Sequence, residues 1–121
     1  MLAKMAVDLC FRIHSKYGPG LFESVYEELF CYEWSKSGIL FERQRAVSLI
    51  HESVILESVF RADVILLGKV ILEFKSVDAL HPVHFKQLLT YLKLTGLKLG
   101  LLVNFNTLLI KDGIHRVVNN L

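Results

Sequence analysis

A short apolar hairpin most constrains how this chain can fold. Residues 59–66 and 70–75 both have the composition of β-strands, and residues 67–69 between them form a short glycine-containing connection. If these three residues form the turn of an antiparallel pair, Asp63 lies opposite Glu73. Directly opposed side chains have Cβ atoms about 4.5–5.5 Å apart, and like charges repel at that distance. A bound cation would turn this repulsion into coordination.

The same register divides the side chains of the hairpin between two faces, because successive strand residues point to opposite sides. The predicted core face is wholly apolar and contains Ala62, Val64, Leu66, Val70, Leu72 and Phe74. The opposite face contains Arg61, Asp63, Ile65, Ile71, Glu73 and Lys75. Such a mixture indicates a partly covered polar site. A two-residue turn at 68–69 would instead pair Asp63 with Phe74 and break this sorting.

Length and hydropathy predict one domain over residues 1–121. The hydrophobic fraction of 53% and the mean hydropathy of +0.44 predict that few helices or strands are fully exposed to solvent, which is compatible with a homodimer.

No apolar run approaches the roughly 18 residues that span a bilayer, so no membrane association is expected. Cys10 and Cys31 lack metal-type spacing, and the charged N-terminal stretch is a poor secretion signal, which together favour a reduced, cytoplasmic protein.

The net charge of +2 argues against broad, tight binding of nucleic acid, because phosphate-binding proteins usually carry a clear basic excess. A local basic cleft stays compatible with this balance. Its candidate residues are Arg43, Arg45, Arg61, Lys75, Lys86, Lys93 and Lys98.

Apolar spacing predicts three helices, at residues 2–16, 22–37 and 82–95. Strands are expected at 41–49, 54–56, 59–66, 70–75 and 97–105. Residues 107–111 and 115–118 are expected to form a closing hairpin that turns at Asp112 and Gly113. This order of elements predicts a mixed central sheet flanked by helices, α/β or α+β by class.

Several ordered motifs carry a resemblance to a known family. Gly20 to Tyr26 has the pattern GxxExxY and follows Gly18 and Pro19. The other matching segments are Tyr26-Glu27-Glu28, Glu42-Arg43-Gln44, Arg61-Ala62-Asp63, Glu73-Phe74-Lys75, residues 87–91 and residues 100–105. Over essentially its whole length the chain resembles the small GxxExxY proteins of the PD-(D/E)xK nuclease-like superfamily, which implies a single-domain, restriction-endonuclease-like fold.

The resemblance implies hydrolysis of phosphodiester bonds in DNA or RNA with Mg²⁺ or Mn²⁺. Asp63 and Glu73 would be the metal-binding carboxylates, with the carbonyl group of Phe74 as a further protein ligand. Lys75 projects to the same side of the strand as Glu73, where its ammonium group could orient the attacking water and offset charge on the phosphate.

Two helices would supply the remaining site residues. Glu23 would support the metal directly or through water from the first turn of the second helix. His84, Gln87 and Tyr91 form one stripe on the third helix. Gln87 to Tyr91 resembles the QxxxY motif of RecB-like nucleases, whose side chains border the active site. Tyr26 lies in an apolar stripe and is assigned to the core.

Other interpretations of the same residues stay open. Asp63, Glu73 and Lys75 could form a solvated, salt-bridged hairpin face, Glu23 could only stabilise its helix, and Gln87 could hydrogen-bond Tyr91. At the level of function, the rival is a catalytically silent nuclease-fold module that binds protein or nucleic acid or dimerises. A hydrolase of small phosphoesters is the third alternative.

Overall fold

A computed structural model describes residues 1–120, which form one mixed sheet with helices on both faces. The helices are α1 (Leu2–Tyr17), α2 (Glu23–Ser35) and α3 (Pro82–Thr95), and a 3-10 turn covers Ile110–Asp112. The strands are β1 (Phe41–His51), β2 (Val54–Leu66), β3 (Val70–Lys75), β4 (Leu99–Asn104) and β5 (Ile114–Val118). They lie in sequential order, and only β3 and β4 are parallel, with α3 as their crossover. The predicted α/β architecture is confirmed.

The sheet separates two apolar cores. α1 and α2 cover one face, where Ile13 and Phe30 join Leu72 and Val103 in a single buried cluster. α3 covers the other face, where Leu88 and Leu92 form a second cluster whose sheet members include Ile65, Ile71 and Leu102. Adjacent residues of one strand, such as Leu102 and Val103, therefore belong to different cores, as strand alternation requires. None of the three helices within residues 1–120 has the length and apolar content that crossing a bilayer requires.

The predicted register of the central hairpin is confirmed. Val64 pairs with Leu72, Ile65 with Ile71, and Leu66 with Val70. The turn has three residues and is closed by a hydrogen bond from Lys69 N to Leu66 O at 2.8 Å. Its Gly68 has a φ of 62°, in the left-handed region that glycine adopts without steric cost. The two-residue turn is thereby excluded.

One side chain of the hairpin lies on the opposite face from the predicted one. Ala62 was expected beside Val64, but it packs in the α3 cluster. The neighbouring strand explains the change, because Gln44 has a φ of 48° between the regular pairs Arg43–Val64 and Arg45–Ala62. Ala62 and Val64 flank Asp63 in β2 and therefore point to opposite faces of the sheet, although regular alternation would place both on the same face.

The C-terminal strands also differ from the prediction. Residues 107–111 form no strand and end in the 3-10 turn, while β5 pairs antiparallel with β4. Gly113 sets this connection, because its carbonyl accepts from Asn104 N at 2.8 Å and its own N–H donates to Ile110 O. A Cβ atom at Gly113 would lie 2.1 Å from the carbonyl oxygen of Asn104, so only glycine fits. The separately predicted strands 54–56 and 59–66 are one continuous strand, β2.

Candidate active site

β2 and β3 separate where the two acidic residues lie, and carboxylates replace the main-chain ladder. Beyond the Val64–Leu72 pair, Asp63 N donates to Oε2 of Glu73 at 3.1 Å. Phe74 N donates to Oδ2 of Asp63 at 2.9 Å. Each carboxylate therefore accepts a main-chain N–H from the opposite strand, and the structure brings Asp63 and Glu73 together at the fork between β2 and β3.

Glu73 is buried in an environment that disfavours its charge. It is 8% exposed, and burial, followed by repulsion from Asp63, raises its pKa from 4.5 to about 9. Lys75 acts in the opposite direction and lowers the pKa of Glu73. Two close carboxylates of which one is buried cost folding free energy when both are ionised, and either a proton on Glu73 or a nearby positive charge reduces that cost.

Phe74 reaches the fork only through its main chain. Its side chain is buried in the core, with its ring centroid 5.3 Å from that of Phe30. The next carbonyl, that of Lys75, accepts from Phe105 N on the β4 side at 2.9 Å. Because the N–H and C=O groups of one strand residue point to the same neighbouring strand, and Phe74 N donates to Asp63, the carbonyl of Phe74 is directed toward the fork.

Lys75 stands beside Glu73 without a committed partner. Its side chain is half-buried, and within residues 1–120 its ammonium group makes no ion pair or hydrogen bond. Lys75 is the last residue of β3, two positions after Glu73, and its positive charge lowers the pKa of both Glu73 and His84. This placement leaves the ammonium group able to contact an anion at the fork.

The GxxExxY segment fixes Glu23 next to the end of β3. Oε2 of Glu23 accepts from Ser76 N at 3.2 Å, and the Ser76 hydroxyl donates to Leu21 O at 2.7 Å. Tyr26 holds the preceding loop, because its hydroxyl donates to Gly18 O at 2.6 Å and accepts from Leu21 N. Tyr26 is fully buried, which confirms its assignment to the core. The Glu23 carboxylate is therefore bonded to the main chain of Ser76, one residue beyond Lys75.

Tyr91 of α3 lies over the fork, whereas Gln87 does not engage it. The Tyr91 ring stacks on Phe60 with a centroid distance of 3.7 Å, and its pKa is raised by burial and then by Glu73 and Asp63. The Gln87 side chain is exposed and forms no hydrogen bond with any residue in the described part of the chain, Tyr91 included. His84 caps α3, since its Nδ1 accepts from His81 N at 3.0 Å.

Sequence reasoning missed the residues that orient Asp63 from the α2 side. Nε2 of Gln44 donates to Oδ1 of Asp63 at 3.2 Å and to Oε1 of Glu27 at 2.8 Å. Glu27 is 8% exposed and receives two further bonds from Nε and Nη2 of Arg43. The motif segments that contain these residues were visible in the sequence, but their contact across 16 or 17 positions was not. Arg43, a predicted member of a basic cleft, is instead paired with Glu27 and Glu28.

Asn104 was also missed, and it fixes the connection that follows Lys75. Its buried amide accepts from Val77 N at 3.1 Å and donates to Val77 O at 3.0 Å. Its Oδ1 also accepts from Asn106 N. The amide therefore joins the ends of β3 and β4, which pair at Lys75 and Asn104.

The donor groups at the fork fit a hard divalent cation. Across residues 1–120, no three His, Cys, Asp or Glu side chains are placed to share one metal ion. Two carboxylates and one main-chain carbonyl form an all-oxygen set, and Mg²⁺ typically uses one or two carboxylates and keeps several waters. Structural Zn²⁺ sites require four protein ligands, usually with sulfur or nitrogen donors, which this fork does not offer.

Comparison with known proteins adds an independent finding. A family model described as PD-(D/E)XK nuclease superfamily matches residues 1–117. Searches of curated proteins and of solved structures gave no match. The narrower assignment to GxxExxY proteins stays a prediction. The match spans nearly all of the chain and agrees with the mixed sheet and the carboxylate fork, and this protein therefore belongs to the PD-(D/E)XK nuclease superfamily.

Proposed function

We propose that this protein is a nuclease that hydrolyses phosphodiester bonds of DNA or RNA with the assistance of Mg²⁺ or Mn²⁺. The observation that carries the proposal is the convergence of Asp63, Glu73 and the uncommitted ammonium group of Lys75 at the fork between β2 and β3. Superfamily membership supports the same reaction class.

The proposed roles follow from chemistry at the fork. Asp63, Glu73 and the carbonyl group of Phe74 would hold the cation, which when bound polarises a phosphoryl oxygen and lowers the pKa of water. Lys75 would orient the attacking water by hydrogen bonding and offset the charge that develops on the scissile phosphate. The negative charge of the two carboxylates alone would repel a phosphate, so the cation and Lys75 are both needed.

The helices would complete the site. Glu23, bonded to Ser76 beside Lys75, would support the metal through water. Tyr91 would limit the width of the fork from the α3 side, where its ring is fixed by stacking on Phe60. Gln87 is exposed one helical turn before Tyr91 and is therefore placed to contact substrate that approaches along α3.

Metal titration combined with a cleavage screen tests this function. We expect calorimetry with Mn²⁺ to detect binding. In a screen of labelled single- and double-stranded DNA and RNA, we expect cleavage of at least one substrate, and we expect EDTA to abolish it. A silent module would bind no metal at the fork and leave every substrate intact, which would refute the proposal. Cleavage of small phosphodiesters without cleavage of polynucleotides would favour the alternative hydrolase.

A further prediction concerns Gln44, the residue that joins Asp63 to Glu27. Gln44→Ala is expected to weaken Mn²⁺ binding about 10-fold, because it removes a hydrogen bond that orients a metal-binding carboxylate. Calorimetric titration measures the change, and circular dichroism verifies folding. Arg45→Ala, at the next position of β1, is the matched control and should bind Mn²⁺ as the wild type does. Unchanged affinity in Gln44→Ala would show that Asp63 needs no such support.

A further inference from the structure

The far end of the β1–β2 hairpin extends beyond both cores. We call residues 48–59 the arm. Among residues 1–120, the arm contributes no side chain to either buried cluster. Its large apolar side chains are exposed instead: Ile50 70%, Val54 50%, Ile55 64%, Leu56 45% and Val59 42%. Such a concentration of exposed apolar side chains marks an interaction surface.

The arm is apolar on both of its faces. Ile50 pairs with Ile55, and the next pair, Leu49 with Leu56, points to the other side. A two-stranded hairpin without a covering layer is only marginally stable in water. The ionised side chains of the arm at neutral pH are Glu52 and Glu57, so its charge is negative. A suitable partner surface is therefore apolar and positively charged.

The same molecule carries a surface with those properties. A groove of about 740 Å³ lies between the start of α1 and the starts of β3 and β4. Its lining combines apolar side chains such as Val7 and Leu99 with the basic residues Lys4, Lys69, Lys98 and Arg116, of which Lys4 is paired with Asp8. No acidic residue is among the described residues that line it. The arm is acidic and apolar and the groove is basic and apolar, so the two surfaces are complementary in charge and in apolar character.

The arm does not fill the groove of its own chain. Of the described residues that line the groove, none belongs to the arm. Ile50 and Ile55 of the arm remain 70% and 64% exposed. The groove is therefore open to an arm from a second molecule.

We propose that the protein forms a homodimer in which the arm of each copy binds in the basic apolar groove of the other. A two-fold axis relates the two copies, so that each arm binds in the groove of its partner. Both contacts then form at once, which closes the assembly at two copies. This inference is independent of catalysis and would stand for a silent module as well.

Sedimentation equilibrium of the full chain tests the apolar part of the contact. The wild type is expected to dimerise, and the double substitution Ile50→Glu and Ile55→Glu is expected to give a monomer. The arm lies outside both cores, so this variant should keep its fold, which circular dichroism verifies. Leu108→Glu is the control and should remain dimeric. Leu108 is an apolar residue that is 89% exposed and lies outside both the arm and the groove. A monomeric wild type, or a dimer that tolerates the arm substitutions, would overturn the proposal.

Charge reversal tests the pairing of arm with groove. Glu52→Lys with Glu57→Lys, and separately Lys69→Glu with Arg116→Glu, are each expected to raise the dimer dissociation constant at least about 10-fold, because like charges would face each other. Mixing the two variants should restore a heterodimer, since both of its contacts are again complementary. Failure of the mixture to associate when each variant is folded would exclude this pairing.

Discussion

Asp63→Ala is expected to abolish both metal binding and metal-dependent cleavage, whereas Lys75→Met is expected to slow cleavage strongly and to leave metal binding intact. Asp63 supplies one of the two carboxylates at the fork. Its replacement by alanine removes the acceptor of the Phe74 N–H, whereas the main-chain N–H of position 63 can still donate to Glu73. Lys75 supplies no oxygen ligand, so its loss leaves the metal-binding groups intact. Removing one charge-stabilising group from an active site typically costs about 100-fold or more in kcat, which is the loss expected for Lys75→Met.

Parallel calorimetry and single-turnover cleavage separate the two roles. Lys93→Met, at an exposed position of α3, is the control for the loss of one lysine, and Asp8→Ala, at an exposed position of α1, is the control for the loss of one aspartate. Both controls should bind metal and cleave as the wild type does. Retained cleavage in Lys75→Met would remove Lys75 from the mechanism, and retained Mn²⁺ binding in Asp63→Ala would place the metal elsewhere.

Strand alternation and the position of one glycine were sufficient to predict the central hairpin. Gly68 allows the left-handed conformation that a three-residue turn needs, and the apolar pattern of β3 permits only one register that keeps a continuous core face. The pairing that brings Asp63 to Glu73 follows from these local features. Helix α3 was equally predictable, because Pro82 and Gly96 mark its two ends.

The parts that could not be predicted depend on contacts between distant segments. Gln44 adopts a positive φ in a strand, which no local pattern of glycine or turn residues signals, and its conformation accompanies the displacement of Ala62 to the α3 core. Gly113 follows a sequence typical of a hairpin turn, but the close approach of the Asn104 carbonyl decides its conformation. Long-range packing overrides local propensity at both positions.

The same distinction between local pattern and long-range contact applies to the candidate site. The sequence indicated the acidic pair and Lys75 because they lie on adjacent strands of one hairpin. It did not indicate that Glu27 would be buried beneath Gln44, since the partners come from α2 and β1. The roles of all these residues stay predictions until metal binding and cleavage are measured.

Glu73→Gln is expected to stabilise the metal-free fold while abolishing metal-dependent cleavage. Glutamine has nearly the same shape, and its side-chain oxygen can still accept the hydrogen bond from Asp63 N. Folding at pH 8 forces Glu73 to take up a proton, because its pKa rises to about 9, whereas glutamine needs none. The free energy of unfolding in EDTA at pH 8 should therefore rise by about 1–3 kcal/mol. Urea denaturation measures the gain, and Glu42→Gln, at an exposed acid paired with Arg45, should change stability by less than about 0.5 kcal/mol.

The pH dependence of this gain identifies its cause. Folding raises the pKa of Glu73 from 4.5 to about 9, so between these values the folded protein binds more protons than the unfolded chain. The free energy of unfolding of the wild type should therefore fall as pH rises through this range, and the advantage of Glu73→Gln should grow from near zero at pH 4.5 toward a maximum near pH 9. Adding Mn²⁺ at pH 8 should stabilise only the wild type, so that the wild type then has a higher free energy of unfolding than Glu73→Gln. A gain that is independent of pH and insensitive to Mn²⁺ would mean that improved packing, and not relief of charge at a metal site, stabilises the variant.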